Sequence, residues 1–560
     1  MMDSSHDKTP KDGELADVTP ALEEVQTDDG TGQEQLRRHR WPSLSTVIYV
    51  LVWVVMTGWW IAGLILHRHD LGWLIPFLVW LGLSIRIFTL VFPLNLAQNV
   101  LPLLPTRKIS SAIDSIQPRY RLAFLALLTL AVVLAGTFGT QETPSNTRAD
   151  RAVSLFGLAV FLTMFWVTSR NRKEISWRAV LMGILSQFLL GLFVLRTKAG
   201  YDIFNFLGFL AKSLLAFSGE ATTFLTSASA VSSGWFLIVV LPPMIFFVSF
   251  IQLLHHWGWI QWLVGKFAAV FYCLMGISGA EAVAAAASPF LGQGEAAVLI
   301  KTFLPLLTAA EMHQVMTSGF ATIAGSVLSA YIGLGIDPLA LVSSCVMSIP
   351  AAVTISKLRY PETEEPLTKG VSRIRVPEDE EGKAFNSLHA VAKGSWTGIK
   401  IAGMVVASVL CILALLALTN GLLSWWGSYL NIDDLSVQLI VGYIFYPIAF
   451  LLGVERNGDL LKVAQLIGIK VVTNEFVAYA ELTQNATYAP LSPRSRLIAM
   501  YALCGFGNIS AVGVQMGALS QLAPGRTGTV TQVAASALIS GVFATLTSAS
   551  IAGMLMVDRE

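Results

Sequence analysis

The chain has 560 residues, of which 54% are hydrophobic and 13% charged, with a net charge of +1 and a mean hydropathy of +0.63. A soluble domain carries about 25% charged residues, so this composition belongs in lipid. The near-neutral charge says nothing about nucleic acid, but no basic stripe is present to track phosphates, so no nucleic-acid partner is expected.

The four cysteines, Cys273, Cys345, Cys411 and Cys504, lie scattered in apolar segments and read as small core residues. The eight histidines show no HExxH spacing, and His255-His256 beside Trp257 reads as an interfacial pair. Walker A, GxSxG and strand-to-helix GxGxxG motifs are absent, so the chain does not read as an enzyme.

Taken in order, residues 1–41 are polar and acidic until RRHR, and no apolar run follows Met1. They read as a disordered cytosolic tail, not a cleaved signal. Apolar spans are expected at about 45–66, 73–101, 121–139, 152–168 and 177–195, each near the roughly 20 residues a helix needs to cross a bilayer. The basic stretches RRHR, TRKISS with RYR, and SRNRKEISWR fall at alternate ends of these spans. Placing them inside obeys the positive-inside rule and makes the N-terminus cytosolic. Residues 42–145 read as an N-terminal extension of about three transmembrane helices and 146–560 as the core.

From about residue 235 the apolar pattern is broken by Gly, Ser, Pro and acids. A charged stretch at 358–396, read as a cytosolic loop, divides it in two. Each part holds a polar hairpin candidate and then a Gly-interrupted helix: GQGEAAVLIK then GFATIAGSVLSAY, and GIKVVTNEFVAY then GFGNISAVGVQMG. Paired, broken hydrophobic segments in corresponding halves point to an inverted-repeat secondary transporter with its site at the midplane. The fold class thus reads as an all-α polytopic membrane protein with an internal repeat.

A carboxylate within the hydrocarbon region normally faces protein or water and has a task. Glu295 lies beside Gln293, and Glu475 beside Asn474. A carboxylate can accept both hydroxyls of a vicinal diol, and an amide can match the edge of a heterocyclic base. The plainer alternative makes Glu295–Lys301 and Glu475–Lys470 structural ion pairs, and Asn508 a helix-kink residue. Asn485, in a polar loop placed outside by this topology, opens a glycosylation sequon.

The run GIKVVTNEFVAY resembles the signature of the concentrative nucleoside transporters. LGQGEAAVLIKTFLP resembles that family's first re-entrant hairpin, MTSGFATIAGSVLSAY its following broken helix, and MSIPAAVTISKLRYPETE and SPRSRLIAMYALCGFGNIS its later segments. The resemblance covers roughly 175–556, with the first spans similar to the extension of eukaryotic-type members. It implies two re-entrant helical hairpins and discontinuous helices, in a homotrimeric, plasma-membrane symporter whose transport domain moves elevator-fashion against a scaffold.

Carried over by position, the resemblance places Gln293, Gly294, Glu295 and Val327 on the nucleobase side. Glu475 and Asn508 fall on the ribose hydroxyls, Asn474 and Lys470 support the hairpin around Glu475, and Phe506 and Ser510 are further substrate-binding candidates. Gly294 stands where the family has a threonine, and Ala511 where a ribose-binding serine is expected. A sodium site would comprise Ser288, Leu291, Thr322 and Ile323, but Ser288 replaces an expected asparagine. No cofactor is implied; the coupling ion is H+ or Na+. The serine favours H+, with Glu295 and Glu475 as candidate carriers. Two rivals remain: a same-fold transporter of free nucleobases or another polar solute, and a transport-inactive nucleoside sensor.

Overall fold

In the computed structural model the described residues are 44–66, 74–91, 117–232, 235–301, 303–366, 384–432 and 435–557. Their backbone is helical apart from connections and one isolated bridge between Thr143 and Asn146. The chain forms two units, Met1–Gln117 and Pro118–Glu560. In the first, α1 (Leu44–Leu66) and α2 (Leu74–Val91) are joined by aromatic contacts, with Trp60 stacked on Trp80 at 4.4 Å. The expected tail at 1–41 and the end of the second expected span lie outside the described residues.

The second unit opens with α3 (Pro118–Phe138), α4 (Arg148–Val167) and α5 (Trp177–Arg196), close to the expected spans. Helix α6 (Lys198–Leu225) was not anticipated, because Lys198, Asp202, Lys212 and Glu220 interrupt its apolar residues. A bent pair follows, α7 (Leu241–His256) and α8 (Trp259–Met275), inclined by 80°.

The first repeat half then builds a hairpin from α9 (Gly279–Ala287) and α10 (Gln293–Val298), and a broken helix from α11 (Ala309–Ala321) and α12 (Gly325–Gly333). Helices α13 (Pro338–Arg359), α14 (Ser387–Tyr429) and α15 (Val437–Leu452) lead to the second half. Its hairpin is α16 (Asp459–Val472) with α17 (Glu475–Gln484), and its broken helix α18 (Pro493–Leu503) with α19 (Ile509–Leu522). Helix α20 (Thr527–Leu555) closes the chain.

Seven helices among the described residues are long and apolar enough to cross a bilayer. Of these, α13 and α20 are almost wholly buried, whereas α14 exposes Trp396, Trp425 and Trp426 along its surface. At 43 residues α14 is about 65 Å long, well beyond the hydrocarbon thickness.

Two expectations are corrected. The charged loop at 358–396 is shorter than expected, because Asn386 accepts the His389 N–H at 2.8 Å and starts α14 at Ser387. Of the cysteines only Cys345 and Cys504 are core residues; Cys273 and Cys411 are exposed. An apolar surface toward lipid has the same composition as a core, so hydropathy does not separate them.

The halves are pinned at matching points. In the first, Ser278 with Glu281 and Thr308 with Glu311 form reciprocal capping boxes at the starts of α9 and α11. Lys357, near the end of α13, reaches Glu281 at 2.5 Å, and Thr308 Oγ1 donates to Glu362 at 2.9 Å. In the second, Asp459 at the start of α16 accepts the Ser492 N–H at 3.1 Å, and Ser492 caps α18. Each hairpin base is thus tied to the start of the broken helix that follows it.

Buried Arg494 on α18 joins four elements. Its guanidinium donates to the carbonyls of Gly453 and Gly553 at 2.8 and 2.7 Å, to Asn146 Oδ1 at 2.6 Å and to Ser154 Oγ at 2.9 Å.

Candidate functional site

The two broken helices meet at their breaks. Thr322 ends α11, and its carbonyl accepts the Phe506 N–H at 3.2 Å across the crossing point. Gly505 makes this approach feasible: at φ +155 a Cβ there would lie 3.0 Å from the carbonyl oxygens of both Phe320 and Ala321. Every break leaves helix ends with unpaired backbone groups, which the site then uses.

The second half supplies the polar centre. Asn474 caps α17, its side-chain oxygen accepting the Val477 N–H at 2.9 Å, which places Glu475 at the first helical position. Asn508 caps α19 in the same way, accepting from Ala511 N at 2.8 Å and from Ser510 Oγ at 2.7 Å. Its amide nitrogen donates to Glu475 Oε2 at 2.7 Å, and both side chains are buried. The Glu475 carboxylate therefore sits where two helix N-termini converge, and their partial positive charge favours the anion. The bond to Asn508 engages one carboxylate oxygen, and the buried Tyr331 approaches the same carboxylate from α12.

Lys470 makes no direct bond to Glu475 of the kind the ion-pair reading required, although its charge attracts the carboxylate. Its ammonium donates to the Ala502 carbonyl at 2.8 Å and Thr545 Oγ1 at 3.1 Å, fastening α16 to α18 and α20. Glu481 ends the same hairpin, where Asn485 Nδ2 donates to it at 2.7 Å.

The first half brings its residues up from the other side. Ser288 closes α9, with its hydroxyl donating to Ala284 O at 2.7 Å, and Leu291 is buried at the hairpin tip. Thr322 Oγ1 donates to Ser318 O at 2.9 Å, and Ile323 and Val327 are buried at the break and in α12. Gln293 opens α10 with its Oε1 buried and unpartnered. Gly294 and Glu295 lie in α10, and the side chain of Glu295 is outside those described.

Sequence reasoning missed three groups. Tyr331, one turn beyond Val327, is fully buried with its ring 5.0 Å from Phe476 and 4.7 Å from Tyr479, joining α12 to the second hairpin. Gln515 on α19 is buried over Gly319. The Glu281–Lys357–Glu362 tether had a legible signal, since SGAE and TAAE have the capping-box spacing. Neither Tyr331 nor Gln515 carries such a motif.

Comparison with known proteins identifies relatives of the whole fold. Residues 340–553 match the family profile "Na+ dependent nucleoside transporter C-terminus", 156–229 match "Na+ dependent nucleoside transporter N-terminus", and 237–338 match "Nucleoside recognition". "Sodium/nucleoside cotransporter 1" of Rattus norvegicus is 38% identical over 425 residues, covering 74% of this chain and 65% of its own length. The Mus musculus protein of that name is 36% identical over 498 residues, covering 85% and 75% respectively. Among solved structures, CNTnw in an inward-facing substrate-bound state has a TM-score of 0.67 at 33% identity, covering 72% of this chain and 97% of that one. A CNTnw variant in an outward-facing state has a TM-score of 0.70 at 33% identity, covering 73% and 99%.

Proposed function

This chain belongs to the Na+-dependent, or concentrative, nucleoside transporter family, and on that premise we propose that it is a cation-coupled symporter importing nucleosides across the plasma membrane. One observation carries the reading. The buried Glu475 carboxylate, joined to Asn508 at 2.7 Å between two helix N-termini, is built to accept the paired hydroxyls of a ribose. Gln293, Glu295 two positions after it, and Val327 would meet the base; Asn474 and Phe506 shape the two breaks, and Ser510 steadies Asn508. The inward- and outward-facing states named for CNTnw support alternating access, and the elevator movement and homotrimer come from the family reading.

For the coupling ion we propose H+ over Na+, although the relatives are named for sodium. The support is Ser288, whose hydroxyl is turned back onto its own helix at Ala284 O and is shorter than an amide. In a sodium reading the ligands are Ser288, Thr322 and the carbonyls of Leu291 and Ile323.

The test is uptake of radiolabelled uridine and adenosine by cells lacking endogenous nucleoside transport, at about pH 5.5 and 7.5, with sodium or choline outside. Accumulation that survives choline and rises at low pH is expected, with Glu475→Gln inactive. Accumulation that requires sodium overturns the proton assignment. Surface-expressed protein that binds nucleosides without accumulating them is instead a sensor, and inhibition by free bases but not nucleosides reassigns the substrate.

A further inference from the structure

Gln515 is an amide on a helix face that otherwise buries apolar side chains. The buried positions of α19 are Ala511, Gln515 and Leu519, spaced four apart, so Gln515 stands one turn beyond Ala511 and two beyond the Asn508 cap. Its side chain is 1% exposed and its Oε1 has no hydrogen-bond partner. It packs on Gly319 of α11, where a Cβ would fall 2.5 Å from Gln515 Nε2 and 3.0 Å from Gln293 Cβ. Gln293, arriving from the first hairpin, also carries a buried, unpartnered Oε1. The Gln515 amide and the Cβ of Gln293, 222 positions apart in the chain (515 less 293), thus flank one glycine.

A buried carbonyl oxygen without a donor costs about 1–3 kcal/mol, and a leucine at 515 would avoid that cost. Two such oxygens, on side chains that flank the same glycine, point to a ligand that brings N–H groups of its own. Nε2 is the Gln515 atom nearest Gly319, so Oε1 is the end presented away from the glycine. The hairpin residue beside Gln293 is Gly294, which adds no side chain to the space.

We propose that Gln515 is a second base-recognising residue. Acting with Gln293, it selects nucleosides whose base carries an exocyclic amine over their oxo counterparts. This rests on the nucleoside reading of Glu475 and Asn508. An exocyclic amine offers two N–H bonds, one to each amide oxygen. An oxo group in the same place sets its lone pairs against theirs and leaves both acceptors unpaired. Selectivity of this kind is larger than an apolar pocket achieves, because the rejected ligand strands buried polar atoms.

The experiment compares adenosine with inosine and cytidine with uridine, pairs that differ by amine against oxo. Uptake KM is measured for the full chain in cells lacking endogenous nucleoside transport, with surface protein quantified. The wild type is expected to favour the amino member of each pair about tenfold. Gln515→Leu should bring both ratios close to one by raising KM for adenosine and cytidine and leaving inosine and uridine nearly unchanged. Gly319→Ala, which drives a methyl against the Gln515 amide and the Cβ of Gln293, should do the same and serves where Gln515→Leu fails to reach the surface. Nucleoside uptake with wild-type ratios near one overturns the Gln515 assignment and leaves the transport reading standing. So does a variant that slows all four substrates equally. A surface-expressed wild type that takes up none of the four overturns the transport reading, and this proposal with it.

Discussion

The two repeat halves share an outline and differ in how they hold the site. The second is a hydrogen-bonded frame: Asn474 and Asn508 cap their helices, and Asn508 grips Glu475. The first is a close-packed wedge. Helix α9 is buried along its whole length, with alanines at 284–287, and the amide oxygen of Gln293 in its hairpin is unpaired, as is that of Gln515, which reaches the first half at Gly319 from α19 of the second. The difference separates two tasks. On the proposed reading, the paired Glu475–Asn508 frame orients the common part of a substrate, the sugar. A wedge with open acceptors is suited to judging the variable part, the base.

The contrast predicts that the frame tolerates the least change. Glu475→Ala removes a carboxylate and strands the Asn508 amide, and truncating one partner of a buried charged hydrogen bond costs about 2–5 kcal/mol. Nucleoside uptake should fall by about 100-fold or more at unchanged surface level. Glu475→Asp should restore little, because the shortened carboxylate no longer spans to Asn508. If wedge substitutions prove more damaging than this, the contrast is wrong.

Next in size is a change of stability. Arg494→Met keeps the length of the side chain but leaves the Gly453 and Gly553 carbonyls and Asn146 Oδ1 without their donor. At about 1–3 kcal/mol for each stranded group, the loss reaches several kcal/mol. Detergent-solubilised protein should melt markedly earlier and surface expression should drop. A melting profile like that of the wild type would remove Arg494 from the frame.

In the wedge, Ser288→Asn supplies the amide oxygen that the resemblance expects. It should make uptake at neutral pH depend on sodium and flatten its response to external acid, measured as the ratio of uptake in sodium to uptake in choline. An unchanged ratio would show that position 288 does not decide the ion.

The smallest effect is expected at the tether. Burial pushes the Glu362 carboxyl above its ordinary value, against the opposing pull of Lys357 and the Thr308 hydrogen bond. A raised carboxyl favours its protonated form in the folded state, so its stabilisation is present at low pH and lost as pH rises through the folded pKa. Glu362→Gln should remove that slope, changing the difference in melting temperature between acid and neutral buffer by only about 1–2 °C.

Much of this was legible in one dimension. The spans near α3, α4 and α5, the paired hairpins and the two breaks show in the sequence, as do Glu475 and Asn508, because polar interruptions stand out against so apolar a chain. Helix α6 was missed because its charges mimic a loop, and the start of α14 because charged residues precede it.

What the sequence determined by itself follows from lipid as a solvent. Backbone polar groups in a bilayer must be satisfied locally, so helices, their caps and their interruptions are written in neighbouring residues. What only the tertiary structure decided are the meetings between distant residues: Arg494 with Asn146 and Gly553, Lys357 with Glu281, and Gln515 with Gln293 over Gly319. It also decided which cysteines are core. Lipid and protein interior present the same apolar surroundings, so a side chain's composition cannot say which it faces; only the packing of one helix against another can.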